Sequence, residues 1–280
     1  MFSKIAIIGT GLLGASIGLA VRGKFSDCSI VGIGRRQVTL DSARQVGAID
    51  ETSLSIAAGV TGCDLVVICT PVGRIAEQVF EVAQAADNAP IITDVGSTKQ
   101  TICDVIEQRS PLPNGCRFLG CHPIAGGEKT GPEAATASLF ENRAVVLTPT
   151  QSSDNNTVDT LRTFWETLGA GVSCMSPGEH DRVLALTSHL PHVVSAVLAT
   201  VCARPTYGAY CGTGYESMTR LAAGSPELWR DILMTNREAV CRAMNDFEQL
   251  CRELRDSLTQ NDADEVLRYL ENAQSETRTQ

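Results

Sequence analysis

Residues 5–14 read IAIIGTGLLG, a short apolar run that ends in glycines at positions 9, 11 and 14. Apolar residues then recur at helical spacing, at Leu12, Leu13 and Ile17. A strand, a tight turn and a helix in this order form a dinucleotide-binding fingerprint. Its first glycine permits the turn, its second admits a pyrophosphate, and its third lets the helix lie close to the sheet. We therefore predict a dinucleotide at the helix N-terminus. The predicted contacts are Gly9, Thr10, Gly11, Leu12, Leu13 and Gly14.

The end of the second predicted strand, residues 30–33, bears on which nicotinamide cofactor is bound. A site that prefers NAD places Asp or Glu there to bond the ribose hydroxyls. Here the strand ends at Gly34 and is followed by Arg35 and Arg36. No carboxylate would repel a 2′-phosphate, and a guanidinium can bond two phosphate oxygens. We therefore predict NADP rather than NAD; the alternative is a solvated basic turn.

The composition is that of an ordinary globular protein. The chain has 280 residues, 43% of them hydrophobic, with a mean hydropathy of +0.02 and a formal net charge of −9. The negative charge argues against nucleic acid as a partner. No apolar run approaches the roughly twenty residues of a membrane span, and Met1 is not followed by the features of a signal peptide. We expect a cytoplasmic protein with no nucleic-acid or membrane partner.

Eleven cysteines are scattered along the chain without a C-x-x-C pair. Cys69, Cys241 and Cys251 fall at apolar positions of predicted strands or helices. We expect reduced thiols that pack as small core residues, and neither a disulfide framework nor a zinc site.

Apolar, β-rich runs alternate with helical stretches through the first part of the chain. This pattern predicts an α/β fold of Rossmann type, a doubly wound and mostly parallel sheet with helices on both faces. The predicted strands are 5–8, 30–33, 65–69, 91–95, 117–120 and 143–147, followed by a helix over 156–168 and a strand near 172–175. Strand signals end at Ser176. We therefore predict a dinucleotide-binding domain over 1–175 and an all-helical domain for substrate binding and dimerisation over 176–280.

Two Ser-Pro pairs start helices in the second part. The helix from residues 176–177 is predicted to reach about residue 202 and to bend at Pro191, because proline has no amide. The helix from residues 225–226 carries an apolar stripe from Trp229 to Leu258. Roughly thirty-four residues at about 1.5 Å each give a rod near 50 Å, too long for one small domain to cover. We predict a homodimer through these helices, and a last short helix over 262–274.

Polar segments follow the third, fourth and fifth predicted strands, where the crevice of an open α/β sheet lies. Thr70 and Pro71 would border the cofactor. His122 would lie beside the nicotinamide, where an imidazole with a pKa of about 6.5 can act as an acid or a base; the alternative is a structural histidine. Ser97 either caps the next helix or orients His122.

The helical part contains further polar candidates. His189 and His192 lie three residues apart on one face of the bent helix, next to Ser188. No third ligand has a suitable spacing, so we expect no metal site and favour a polar substrate pocket lined by these three residues. Arg220 is by default a surface cation, and Trp229 could belong to the core or to a pocket wall.

Together these segments resemble the prephenate/arogenate dehydrogenase family over nearly the whole chain. The resemblance rests on the glycine fingerprint, TPVG at 70–73, DVGSTK at 94–99, HPIAG at 122–126, SHLPH at 188–192, TR at 219–220 and LWRD at 228–231, in that order. It implies an enzyme that oxidatively decarboxylates prephenate or arogenate with NAD(P), on the route to tyrosine.

The resemblance also implies roles for individual residues. His122 would engage the ring hydroxyl of the substrate, and Ser97 would bond both His122 and the substrate. Arg220 would pair with the ring carboxylate, and His192 with the side-chain end of the substrate. Trp229 would wall the pocket and Glu128 would lie near its mouth. One position departs from the family: Ser217 stands where an acid is often found, so the group that orients Arg220 stays open.

Two other functions stay open on the sequence alone. One is another two-domain NADP-dependent reductase of the β-hydroxyacid or imine type. Such enzymes often use a lysine as acid or base, and Lys99 is the only lysine in a crevice segment. The other is a catalytically idle NADP-sensing dimer, against which the set of His122, His192 and Arg220 argues. The sequence does not distinguish prephenate from arogenate as the substrate.

Overall fold

The computed structural model describes residues 2–127, 129–203 and 208–278. Within these residues, eight strands form one sheet in the order β3-β2-β1-β4-β5-β6-β7-β8. All neighbouring strands are parallel except β6 and β7, which are antiparallel. The strands are β1 Lys4–Ile8, β2 Ser29–Ile33, β3 Glu51–Ser53, β4 Leu65–Ile68, β5 Ile91–Asp94, β6 Arg117–Pro123, β7 Ala144–Thr148 and β8 Gly171–Cys174. The predicted doubly wound, mostly parallel sheet is confirmed, and β3 is a further edge strand that the sequence does not predict.

Helices cover both faces of this sheet. They are α1 Leu12–Lys24, α2 Gln37–Gln45, α3 Ile56–Gly59, α4 Val72–Ala85, α5 Gln100–Glu107 and α6 Asn155–Thr167. Successive strand residues point to opposite faces, so Ile5 and Ile7 of β1 pack with α1 and α6, whereas Ala6 and Ile8 pack with α4 and α5. The strand order reverses between β1 and β4, and a crevice therefore opens beyond the carboxyl ends of these two strands.

The part of the chain after β8 is helical in its described residues. Its helices are α7 Pro177–Leu184, α8 Leu190–Val201, α9 Thr213–Thr219, α10 Pro226–Thr235, α11 Arg237–Thr259 and α12 Ala263–Arg278. Ser176 and Ser225 cap α7 and α10, because their side chains accept the backbone amides of Glu179 and Leu228. Both predicted helix starts are confirmed.

Each of the two long predicted helices is interrupted. A turn of π-helix, Ala185–His189, joins α7 to α8, so the regular hydrogen bonding changes before Pro191 rather than at it. The predicted 50 Å rod is wrong: Asn236, with φ −117° and ψ 25°, separates α10 from the 23-residue α11. The Asn236 side chain is buried and hydrogen-bonded to α7, and these tertiary bonds replace helix continuation.

The helical part leaves many apolar side chains exposed on a single chain. They include Val183, Leu186, Val197, Val201, Phe247, Leu250, Leu258, Leu267 and Leu270. By length and composition alone, the stretch Pro177–Val201 could cross a membrane, and only 28% of its most apolar window is buried. The expectation that no stretch meets this criterion is therefore wrong. Cys241 and Cys251 of α11, expected in the core, are also exposed.

Candidate active site

The glycine turn after β1 has the geometry that its sequence predicts. Gly9 has a φ of +94°, which side chains rarely adopt, and a Cβ there would lie 2.7 Å from the Cys69 carbonyl oxygen. A Cβ on Gly14 would overlap the Gly9 carbonyl oxygen and come within 2.9 Å of Ile7 Cγ2. A Cβ on Gly11 would meet no atom within 4 Å. The first and third glycines therefore serve the fold, and the second leaves open space in front of the backbone.

A cavity of about 550 Å³ lies beside this turn. Its lining includes Gly9, Thr10, Gly11, Gly34, Arg35, Arg36, Thr70, Pro71 and Arg74. The Thr10 hydroxyl is buried and has no hydrogen-bond partner among the described residues. Open backbone at a helix N-terminus, an unpaired hydroxyl and exposed arginines fit a phosphate-bearing dinucleotide. Leu12 and Leu13 form the first turn of α1 and do not line this cavity.

His122 lies within β6 rather than in the loop after it. The strand pairs first with β5 and then, from Gly120, with β7, so His122 stands where β6 has run past the end of β5. Side chains hold the strand there: Asp94 accepts the Cys121 amide at 3.1 Å, and the Lys99 ammonium donates to the Cys121 carbonyl oxygen at 2.9 Å. Asp94 and Lys99 pair with each other and are fully buried. They fix the backbone next to His122.

A series of hydrogen bonds connects His122 to the helical part. His122 Nδ1 lies 2.8 Å from His180 Nε2, and His180 Nδ1 lies 2.7 Å from a carboxylate oxygen of Asp181. Asp181 also accepts the backbone amides of Lys99 at 2.8 Å and Gln100 at 3.0 Å, and so caps α5.

Sequence reasoning missed His180 and Asp181, because in sequence they look like an ordinary part of a helix. The available signal is the histidine count. The chain has four histidines, and the other three already lie in candidate segments.

Ser97 performs neither of the two structural roles expected of it. α5 begins at Gln100 with Lys99 as its N-cap, and the capping carboxylate comes from Asp181. Among the described residues, the hydrogen-bond partner of His122 is His180 and not Ser97. The contact of Ser97 with a substrate stays a prediction.

His192 and Trp229 form a stacked pair, with ring centroids 3.6 Å apart and an interplanar angle of 11°. Gly224 permits this arrangement, since a Cβ there would lie 2.7 Å from Trp229 Nε1 and 3.3 Å from His192 Cε1. His192 Nδ1 is buried and lacks a hydrogen-bond partner among the described residues. Buried polar atoms are normally paired, so this nitrogen is available to a ligand.

His189 is held by the residue that breaks the long helix. The Asn236 amide nitrogen lies 3.1 Å from His189 Nδ1 and donates to the Asp181 carbonyl oxygen at 2.7 Å. Ser188 is half-buried beside His189, within the π-helical turn. Asn236 therefore connects His189 to Asp181 through hydrogen bonds.

Arg220 is exposed and starts a short turn of 3-10 helix, Arg220–Ala223. The Ala222 amide donates to Ser195 Oγ of α8 at 3.0 Å, which fastens this turn to the helix that carries His192. Ser217 is exposed in α9. Glu128, predicted near the pocket mouth, lies outside the described residues.

Burial favours the neutral form of the site histidines. It lowers the pKa of His122 well below the ordinary value, and His180, Lys99 and His189 lower this pKa further. Burial also lowers the pKa of His189 to about 4 and the pKa of His192. The pKa of His122 is therefore lower than the sequence expectation of about 6.5. A neutral imidazole at pH 7 can accept a proton. No group of three or more potential metal ligands occurs in the described part of the chain.

The fold and the site define a dinucleotide-dependent dehydrogenase with a helical second part. The family model "Prephenate dehydrogenase, nucleotide-binding domain" matches residues 17–174, and "Prephenate dehydrogenase, dimerization domain" matches residues 176–272. The chain therefore belongs to the prephenate dehydrogenase family, as the sequence resemblance implies.

Similar proteins agree with this membership. A prephenate dehydrogenase of Bacillus subtilis is 34% identical over 98% of this chain and 75% of its own length. A cyclohexadienyl dehydrogenase of Zymomonas mobilis is 32% identical over 98% of this chain and 94% of its own length. The crystal structure of prephenate dehydrogenase from Aquifex aeolicus with hydroxyphenyl propionate and NAD+ has a TM-score of 0.93 and 30% identity, and it covers 100% of this chain and 98% of that one. The chain is an oxidoreductase of this family, so the alternative of a reductase of the β-hydroxyacid or imine type is not supported.

Proposed function

We propose that this chain catalyses the NADP-dependent oxidative decarboxylation of prephenate or arogenate, with His122 as the proton acceptor. The observation that carries the proposal is a buried His122, whose pKa is lowered by burial, on the strand whose following loop reaches the nucleotide turn. The loop after β6 reaches that turn, since a Cβ on Gly127 would lie 3.7 Å from Leu12 Cδ2. This arrangement supports a proton acceptor and a hydride acceptor on the same substrate.

The reaction removes a hydride, a hydroxyl proton and carbon dioxide while the substrate ring becomes aromatic. Aromatisation supplies the driving force, so the protein has to position the substrate and accept the proton. Bound nicotinamide supplies the hydride acceptor. His122 uses Nδ1 to contact His180, which leaves Nε2 to accept the hydroxyl proton. A positioned general base contributes about 10²–10⁴-fold to the rate.

We assign the remaining polar residues to substrate binding. Arg220 pairs with the ring carboxylate, and the unpaired nitrogen of His192 bonds the side-chain end of the substrate. Trp229, stacked on His192, keeps that ring in place and walls the pocket. The other proposed members of the substrate pocket are Ser97, Ser188, His189 and Glu128.

The preference for NADP rests on the end of β2. Gly34 stands where a site that prefers NAD has an acid, and a Cβ on it would already lie 3.2 Å from Leu40 Cδ2. Arg35 and Arg36 are exposed beside the cavity, and Arg74 of α4 lines it as well. Guanidinium groups in these positions suit a 2′-phosphate.

We further propose a homodimer in which the helical parts pack together. This assembly would cover the exposed apolar side chains of α7, α8, α11 and α12. Burial in a dimer interface would also explain why the stretch Pro177–Val201 is so apolar, with no need for a membrane. We also place the domain boundary between residues 175 and 176. We propose a cytoplasmic location, which would keep the buried thiols of Cys63, Cys103 and Cys121 reduced.

A steady-state assay of prephenate and arogenate, each with NADP and with NAD, tests this function. We expect turnover of at least one substrate, with a higher kcat/KM for NADP than for NAD. The variant Arg220→Gln should raise KM about thirty- to a thousand-fold and change kcat little, because a charge pair kept from ground state to transition state acts on binding. No turnover in any of the four combinations would refute the proposed function.

A further inference from the structure

Asp181 is the fixed end of the hydrogen bonds that lead to His122. One carboxylate oxygen accepts the Lys99 amide at 2.8 Å, and the other accepts the Gln100 amide at 3.0 Å. His180 Nδ1 lies 2.7 Å from the oxygen that meets the Lys99 amide. An ionised carboxylate only accepts hydrogen bonds, and the N-terminus of α5 favours a negative charge there. His180 therefore carries a hydrogen on Nδ1.

The protonation of His180 determines which ring nitrogen of His122 carries a hydrogen. A neutral His180 with its hydrogen on Nδ1 presents an unprotonated Nε2, which lies 2.8 Å from His122 Nδ1. Two buried nitrogens at this distance form a hydrogen bond only when one of them donates. His122 Nδ1 then carries the hydrogen and His122 Nε2 is unprotonated. A charged His180 would instead donate to His122 Nδ1 and leave the only hydrogen of a neutral His122 on Nε2.

We infer that His180 and Asp181 are positioning residues, which hold His122 in the tautomer whose Nε2 accepts the hydroxyl proton. The inference rests on the proposed role of His122. During the reaction the substrate O–H bond breaks, its electron pair stays with the oxygen, and the proton forms a bond to His122 Nε2. The His122 Nδ1–H bond to His180 is kept throughout, so neither ring has to turn.

The same residues couple this tautomer to the contact between the two parts of the chain. His122 lies on β6, whereas His180 and Asp181 lie on α7. The carboxylate of Asp181 contacts His180 and also caps α5. The Asn236 side chain donates a hydrogen bond to the Asp181 carbonyl oxygen at 2.7 Å. One carboxylate therefore takes part both in the hydrogen bonds that lead to His122 and in the packing of α7 against α5.

The tautomer itself can be measured without turnover. The chain has four histidines, so ¹⁵N NMR of the full chain with labelled imidazoles gives few signals, and single His→Gln variants identify them. We expect His122 at pH 7 to be protonated on Nδ1 and unprotonated on Nε2. Protonation on Nε2 alone would overturn the inference. Turnover in the assay above would then still support the proposed reaction, but His122 would no longer be assigned as its proton acceptor.

Variants at His180 test whether this tautomer matters for the reaction. His180→Leu removes the acceptor for His122 Nδ1 and should lower kcat about 100-fold, with KM within about threefold of the parent. In His180→Gln the amide oxygen can accept the same hydrogen, so kcat should return to within about tenfold of the parent. Glu179→Gln, an exposed neighbour on α7, is the matched control and should match the parent.

An unchanged kcat in His180→Leu would overturn the inference, as would equal losses in the leucine and glutamine variants. The affinity for NADP and the melting temperature of each variant report on folding. The NMR measurement on the parent protein decides the question if the leucine variant does not fold, because it needs no replacement at position 180.

Discussion

Replacing Gly14 and Gly11 separately by alanine distinguishes a glycine that the fold requires from one that the cofactor requires. A Cβ on Gly14 would overlap the Gly9 carbonyl oxygen and approach Ile7 Cγ2 to 2.9 Å. A Cβ on Gly11 would meet nothing within 4 Å. The two substitutions are chemically identical and lie three residues apart, so each is a control for the other.

For Gly14→Ala, the atom in the way is backbone, and α1 has to move away from β1. Such overpacking costs about 1–3 kcal/mol, partly offset by up to about 1 kcal/mol because alanine favours a helix more than glycine does. At roughly 2–4 °C per kcal/mol, we expect the melting temperature to fall by a few degrees.

For Gly11→Ala, the melting temperature without cofactor should change by less, because only a modest loss at the helix N-cap is involved. The methyl group would instead occupy the space that a pyrophosphate needs. A steric cost of about 1–3 kcal/mol weakens NADP binding roughly 5- to 150-fold. Calorimetric titration with NADP and thermal denaturation of both variants measure the two effects. Parent-like NADP affinity in Gly11→Ala would refute the assignment of this turn to the pyrophosphate.

Three further predictions concern the cofactor, pH and assembly. Arg36→Ala and Gly34→Asp should each shift the ratio of kcat/KM values from NADP towards NAD, since one removes a phosphate partner and the other adds a repelling carboxylate; unchanged ratios in both would contradict the NADP proposal. The folded pKa of His189, about 4, lies below its ordinary value of about 6.5. The folded state therefore binds fewer protons between these values, and the contribution of His189 to stability, full above pH 6.5, should fall by up to about 3 kcal/mol as the pH drops towards 4. Urea unfolding at pH 7 and pH 4.5 measures this change in the free energy of unfolding. The same change between the two pH values in His189→Gln would argue against the role of His189. Light scattering at micromolar concentration should give a dimeric mass, and a monomeric mass would defeat the proposed use of the apolar helical surface.

Local patterns in the sequence were sufficient for much of the fold. Three kinds of feature depend only on residues that are close together in the sequence: the glycine turn, the apolar strands and the two Ser-Pro helix starts. The structure contains each of these predicted features. β3 could not be predicted in the same way. Glu51–Ser53 is a three-residue strand at the sheet edge with no buried residue, so it has no apolar run.

The missed features depend on contacts between residues that are far apart in the chain. The apolar spacing continues through Asn236, and only its hydrogen bond to Asp181, 55 residues away, shows why the helix breaks. Ser97 is a residue type suited to an N-cap and stands just before α5, yet Asp181 caps this helix from another part of the chain. His180 has no motif of its own and becomes important only because α7 places it beside His122.

The central claim is that His122 accepts the hydroxyl proton, and steady-state kinetics of His122→Asn test it most directly. The measurement uses whichever of prephenate and arogenate the parent enzyme turns over, at saturating NADP. We predict that kcat falls about 10²- to 10⁴-fold while KM for the substrate stays within a few-fold of the parent value. A kcat equal to that of the parent, or a loss confined to KM, would contradict the claim.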